Sequence, residues 1–440
     1  MYEQERGPSW RALESESLRL AYLAKATQAP PGQSVAVSVS RWAGVHRGLV
    51  AGVLAVAMAV SVLPGFCIAV LAQRILGDLS MSRTEFGLAS AVIPAVAALS
   101  SIWLGGVADR RGGRPMTVLA LLLGALSLLA IAGAPSFEVL LGATILAGVC
   151  QGGANPATNL VVLETLGRSR RGVMVGVKQS GEMAAIVAAG AVLPVGAVLF
   201  GWREAIGAAV LVPALAIVAT FALIPGRTRG GPEVGNELGE TPRLSRDVWW
   251  LTAYATIMGL SGGAISTYLP LYAQQGVGLT SVAAGQVLAL TGLVAIPGRI
   301  LWGQYAERAR VYPRQLMMLS GLAAVGAVLL WAASAFGPGL LWVGAVLWGA
   351  SQLSWGAVAT LGTMTFAAPG TTGRASGVVL VGMSIGLMLG PIFFGFVTDA
   401  TNGYGVGFVA VVGVLVAATL QTGVWQRLGA VRAGTSRIAH

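Results

Sequence analysis

The feature that most constrains this chain is a succession of long apolar runs separated by short polar loops. A helix needs roughly 20 apolar residues to cross about 30 Å of hydrocarbon. Twelve runs reach that length, at about 48–73, 85–107, 115–134, 138–163, 173–199, 205–225, 249–273, 284–305, 314–335, 340–363, 375–397 and 406–425. Inside a bilayer only helices or closed barrels satisfy the backbone, and continuous runs this long are helical. Composition agrees, with 55% hydrophobic residues, 10% charged ones and a mean hydropathy of +0.76. A soluble domain carries about a quarter charged residues. The 62 glycines suit helices that must approach closely where lipid supplies no hydrophobic force.

The net charge of +11 would point to nucleic acid in a soluble chain. Here its distribution assigns it to topology, because short basic loops are retained in the cytoplasm. With the N-terminus inside, nineteen arginines between Arg41 and Arg437 fall on inner loops or tails, against Arg74, Arg83 and Arg203 outside. The expectation is a multi-pass protein of the cell (plasma or inner) membrane with both termini cytoplasmic and no nucleic-acid partner. Cys67 and Cys150 lie within apolar runs, while His46 and His440 lie outside them. No disulfide framework, metal site or cofactor is expected from such a set. No nucleotide-binding loop or catalytic triad stands out, so the chain reads as no enzyme. Residues 1–40 read as a polar tail, weakly amphipathic over 13–25, without an evident secretory signal.

Residues 226–247 form the longest charged interruption and divide the spans six and six. The expected organisation is a tail (1–47), a six-helix bundle (48–225), a central cytoplasmic loop (226–247), a second bundle (248–426) and a C-terminal tail (427–440). The halves echo one another. "WLGGVADRR" after span two returns as "LWGQYAERA" after span eight, pairing Gly105 with Gly303, Asp109 with Glu307 and Arg110 with Arg308. "GVCQ" at 148–151 in span four returns as "GASQ" at 349–352 in span ten. Repeated halves with a substrate site near the midplane are the plan of many secondary transporters.

Between spans two and three stands Gly-x-x-x-Asp-Arg-x-Gly-x-Arg, here Gly105, Asp109, Arg110, Gly112 and Arg114. This resembles the signature loop of the major facilitator superfamily, and the resemblance extends over about residues 48–426. It implies an all-α membrane protein of twelve transmembrane helices in two pseudo-symmetric six-helix bundles, working as a monomer and rocking about a central cavity. It also implies a latch, in which Asp109 docks against the start of span eleven near Arg374, with Glu307 and Arg308 as the second-half counterparts. Gly105 would admit a close neighbour, and Arg110 and Arg114 would hold carboxylates or lipid phosphates. Gly113 stands where many family loops carry a second basic residue.

Three ionisable residues lie well inside the spans: Lys178 and Glu182 in span five and Arg299 in span eight. Each costs at least about 2.5–3.5 kcal/mol at a bilayer centre, so each needs a partner or a wet cavity. Lys178 and Glu182 share a helical face, roughly 10 and 15 Å from the inner end of their span, and Arg299 is about 12 Å from the inner end of its own. The family resemblance implies that spans five and eight pack across the junction of the two bundles, so a Glu182–Arg299 contact is expected, while the first-half echo of Arg299 is Ser101. One reading is a cavity of net charge +1 that draws a small organic or inorganic anion to Lys178 and to the planar fork of Arg299, with Glu182 taking up a proton. The other is that the three residues neutralise one another and brace the bundles.

Gln151, Asn155 and Asn159 follow one face of span four, Gln352 and Trp355 punctuate span ten, and Tyr268 ends the polar series of span seven. The family resemblance makes these candidate substrate contacts, since its spans one, four, seven and ten line the cavity. Gly181, Gly190 and Pro194 loosely resemble the span-five pattern of family exporters, and a cleaner "GLMLGP" occurs at 386–391 in span eleven. The function expected is proton-coupled transport of a small anion, with proton-coupled efflux of a hydrophobic drug or metabolite as the alternative.

Overall fold

The computed structural model describes residues 45–165, 171–224, 244–368 and 371–438. Residues 1–50 form one unit, of which only the opening of the first helix is described; every contact below lies within residues 51–440. Among the described residues the secondary structure is entirely helical. In chain order the helices are α1 (Val45–Val70), α2 (Ala72–Asp78), α3 (Arg83–Arg111), α4 (Gly113–Ala132), α5 (Phe137–Thr165), α6 (Arg171–Leu199), α7 (Trp202–Ala209) and α8 (Leu211–Leu223). There follow α9 (Arg246–Gln275), α10 (Ser281–Ala309), α11 (Tyr312–Phe336), α12 (Gly339–Ser351), α13 (Trp355–Phe366), α14 (Thr372–Thr401) and α15 (Gly405–Ile438).

These helices are the expected twelve spans and the short α2 that follows span one, with two differences. Span six is α7 and α8, joined at Val210. Pro213 cannot donate to the carbonyl four residues back, which weakens the ladder there. Span ten is α12 and α13, interrupted over Gln352–Ser354, so neither piece reaches the length of a crossing. The other eleven spans are each long and apolar enough to cross.

Local chemistry fixes the helix ends. Ser82 caps span two, its Oγ accepting from Glu85 N at 3.1 Å while Glu85 Oε2 accepts from Ser82 N at 2.8 Å. This reciprocal box satisfies two donors the helix start would leave open. Ser245 and Thr280 cap spans seven and eight in the simpler way. Span two stops at Gly112, whose φ of 93° suits a residue without Cβ. The adjacent Gly113 is explained by space: a Cβ there would sit 2.6 Å from Val161 Cγ2, and its N–H donates to the Glu164 carboxylate at 3.3 Å.

Glycines set the helix crossings, and they do so in parallel in the two halves. A Cβ on Gly148 would lie 2.6 Å from Val96 Cβ, pressing span four on span two, whereas one on Gly349 would strike the Thr291 backbone, pressing span ten on span eight. The "GVCQ" and "GASQ" echo is thus a repeated packing contact. Gly181 lies against the Ala55 backbone of span one, and Gly190 and Gly285 meet backbone to backbone where spans five and eight cross. The span-five glycines therefore let the two halves approach. Gly386 and Gly390, in "GLMLGP", do the same for span eleven against the Thr256 and Leu260 carbonyls of span seven.

The three arginines on the side assigned to the outside all have protein partners. Arg74 Nη1 donates to Ala197 O at 2.7 Å, and Arg203 pairs with Asp78 at 2.8 Å. Arg83 belongs to the site described next.

Candidate transport site and its two ends

Lys178 is fully buried. Its Nζ donates to Asn155 Oδ1 at 2.8 Å and Thr158 Oγ1 at 3.0 Å, both on span four. Both partners are uncharged, and an ammonium has three donors, so these two bonds neither neutralise an ammonium at Lys178 nor use its third N–H. Glu182, one turn further along span five, is half-buried and makes no hydrogen bond among the described residues. Arg299 and, to a smaller extent, Lys178 act on it electrostatically. No ion pair of 4.0 Å or less joins it to either, so the expected Glu182–Arg299 contact is one of field and not of touch. The reason is register: Gly292 packs on Met183 and Ile186, which leaves Arg299 about one turn past the level of Glu182.

Arg299 instead donates through Nε to Leu353 O at 2.9 Å, in the interruption of span ten. Its Nη1 and Nη2 have no partner among the described residues. Gln352 donates to Met258 O of span seven at 2.7 Å, leaving Oε1 enclosed without a donor. Its repeat equivalent, Gln151, likewise has an enclosed and unpartnered Oε1. Trp355 is 7% exposed and packs edge-on against Tyr254, with ring centroids 5.8 Å apart. Asn159 is exposed, so of the span-four stripe only Asn155 is joined to the cations.

Tyr268 is placed elsewhere. Its hydroxyl donates to the Arg83 carbonyl, and its ring lies between Phe86 of span two and Phe394 of span eleven. It belongs to a seal between the halves. Asp399, in the last turn of span eleven, receives Thr84 N at 2.7 Å, Thr84 Oγ1 at 2.6 Å and Arg83 N at 3.3 Å. A carboxylate from the second half thus caps the N-terminus of a first-half helix, where the dipole favours negative charge. The Arg83 guanidinium lies 3.7 Å from the same carboxylate and donates to Gln275 Oε1 at 3.0 Å, which also accepts from Tyr404 at 2.7 Å. A cavity of about 310 Å³, lined in part by Gln73, Gln275 and Asp399, indents this end.

The opposite end is apart. Asp109, Arg110, Glu307, Arg308 and Arg374 are exposed, and Asp109 makes no ion pair among the described residues. A Cβ on Gly105 would meet nothing within 4 Å. The expected docking of Asp109 on span eleven is absent from this conformation, as is the close neighbour of Gly105. Arg114 reaches Phe221 of span six, donating to its carbonyl at 3.1 Å with the guanidinium 5.0 Å from the ring centroid.

Asp399, Thr84 and Arg83 escaped the sequence reading, although a signal existed. Between residues 248 and 426 the only acidic residues are Glu307 and Asp399.

Twelve spans in two related halves, with buried ions near their seam and one end sealed while the signature loop at the other is undocked, define a membrane carrier. The sequence profile of the Major Facilitator Superfamily matches residues 49–379, and the chain belongs to that superfamily of transporters. Solved structures of the same fold include a bacterial homologue of the human lysosomal transporter Spinster, inward-facing and unoccupied. The match has a TM-score of 0.73 and 18% identity, and it covers 87% of this chain and 97% of that one. The occupied form of that homologue gives 0.72 and 19%, covering 88% and 98%. A point mutant of the nucleoside transporter NupG gives 0.67 and 13%, covering 85% and 99%. Comparison with curated proteins gives no match.

Proposed function

We propose that this transporter carries a small organic or inorganic anion, coupled to protons, by rocking its two six-helix halves as a monomer in the cell membrane. The observation that carries the reading is the set of open valences at the cations. Lys178 has only uncharged partners, and the Nη edge of Arg299 has none. Two cations face a single carboxylate, Glu182, which leaves one positive charge to be met by a ligand. A planar guanidinium edge suits a carboxylate or another flat oxyanion. Glu182 has no hydrogen bond to hold it in one protonation state, which suits a group that takes up and releases a proton.

With both termini cytoplasmic, the sealed Arg83 end faces outward and the conformation is inward-facing. Asp399 then serves as the outer latch and Asp109 as the inner one, each docking when the other releases. The rival reading, proton-linked efflux of a hydrophobic compound, draws on Trp355. Its indole is committed to Tyr254 and the core, so it presents little face to a ligand.

Proteoliposome counterflow with a panel of small carboxylates and oxyanions tests the proposal. The wild type is expected to exchange at least one panel member, and Lys178→Ala and Arg299→Ala to lose that exchange. Full exchange in both variants would overturn the anion site. Resistance conferred on a drug-sensitive host, abolished by Glu182→Gln, would favour the rival.

A further inference from the structure

The interruption of span ten has a specific hydrogen-bond economy. In an unbroken helix Ala350 O would accept from Ser354 N, and Leu353 O from Ala357 N. Here Ser354 N turns to Ser351 O at 3.1 Å and Ala357 N to Ser354 O at 3.2 Å. Leu353 N likewise turns to Trp348 O at 3.3 Å, and Ser354 Oγ takes up the Gly349 carbonyl that this frees, at 3.0 Å. The Ala350 and Leu353 carbonyls are released inside a membrane-spanning segment, where an unsatisfied group is expensive. Span eight takes up both. Arg299 Nε donates to Leu353 O at 2.9 Å, and Trp302 Nε1 donates to Ala350 O at 3.0 Å. Arg299 and Trp302 are three residues apart, on one face of their helix. Gly298 keeps that face close, since a Cβ on it would lie 2.5 Å from Ser354 Oγ and 3.4 Å from Ala350 Cα.

We propose that Arg299 and Trp302 form a two-point clamp that holds span ten in its broken form, so that Arg299 is a positioning residue as well as an anion contact. The second role rests on the functional reading above; the first does not. One guanidinium divides the tasks. Its Nε edge is fixed on the break, and its Nη edge is turned to the ligand in a fixed plane. The clamp also sets Gln352 and Trp355, which flank the freed carbonyl of Leu353. Span eight's cation and span ten's polar turn then move as one piece.

Side-chain chemistry separates the two roles. In glutamine the amide nitrogen is bonded to Cδ, as Nε is in arginine, so Arg299→Gln can keep the bond to Leu353 while removing the charge and the Nη edge. Lysine carries its nitrogen one bond further out, so Arg299→Lys keeps the charge and misplaces the donor. The experiment is hydrogen exchange by mass spectrometry on the full-length protein in nanodiscs, read over residues 348–360. A parallel thermal-shift titration uses oxalate and nitrate.

Losing either clamp bond is expected to speed exchange at the break about tenfold in Arg299→Ala, Arg299→Lys and Trp302→Phe. Arg299→Gln is expected to stay within about twofold of wild type. Wild-type exchange in both Arg299→Ala and Trp302→Phe would overturn the clamp, as would Arg299→Gln exchanging as fast as Arg299→Ala. Trp302→Phe removes one donor and keeps an aromatic ring in place, so the test stands even if the arginine variants fold poorly. The anion contact is judged separately. Arg299→Gln should abolish any shift produced by oxalate or nitrate; an undiminished shift would remove that contact and leave the clamp intact.

Discussion

Replacing Asp399 by alanine should open the Arg83 end of the transporter. The carboxylate receives three hydrogen bonds from the first turn of span two and sits 3.7 Å from the Arg83 guanidinium. An N-cap interaction contributes about 1 kcal/mol, and a hydrogen bond to a charged group about 1.5–3 kcal/mol. The ion pair adds about 0–1 kcal/mol, since both side chains are near 30% exposed and solvent screens them. These contributions overlap, and water replaces part of what is lost. A net effect of about 2–3 kcal/mol follows, or a shift of roughly 30- to 140-fold toward the state open at this end. Spin labels on Gln73→Cys and Thr401→Cys place one reporter in each half beside the seal. Cys67 and Cys150 are buried and should stay unlabelled. Double electron–electron resonance should show a single short distance in wild type and a dominant longer one in Asp399→Ala. Thr84→Val, which removes only the hydroxyl bond, should lengthen the distance in fewer molecules. Added to Asp399→Ala, it should change nothing more, because its partner is already gone. Unchanged distances in Asp399→Ala, or full additivity of the pair, would refute the latch.

Other expectations follow from single contacts. Gly87→Ala should act in the same direction as Asp399→Ala, since its Cβ would meet Tyr268 Oη at 2.6 Å and the Pro391 carbonyl; the same label pair reads it. Glu182→Gln should retain exchange of substrate across proteoliposomes while losing accumulation driven by a pH gradient. Pyranine fluorescence should report no accompanying proton movement, and intact proton movement would take the coupling role away from Glu182. Gly190→Leu should lower yield and melting temperature sharply, because spans five and eight meet there through backbone atoms; a normally folded variant would show that the crossing can spread. Asp109→Asn should leave the melting temperature near that of wild type in this conformation, where Asp109 makes no ion pair, while slowing turnover; an unchanged transport rate would remove the inner latch.

The spans and their number were legible because apolar length and charge placement are sums over neighbouring residues, and no tertiary knowledge enters them. The break in span ten was not legible. Gln352, Leu353 and Ser354 contain neither proline nor glycine, and a few polar residues do not break a helix by themselves; the donors that meet the freed carbonyls come in part from span eight, which the sequence of span ten does not show. The site was legible by residue type and not by partner. Lys178, Glu182 and Arg299 stand out in any hydropathy scan, but whether arginine meets a carboxylate or a carbonyl depends on helix register, which glycine contacts such as that of Gly292 decide. Tyr268 shows the same limit from the other side: its place in a cavity-lining span suggested a ligand contact, and a neighbour 185 positions away in sequence made it part of the seal. The two proposed latches differ for a further reason. Asp109 was conspicuous because its loop is a signature, yet it is undocked here. Asp399 has no motif around it, yet it carries the bonds of this conformation. In a carrier that alternates between two closures, one structure can fill only one set of contacts. A motif names a residue that is needed in some state, and the geometry then tells which state is present.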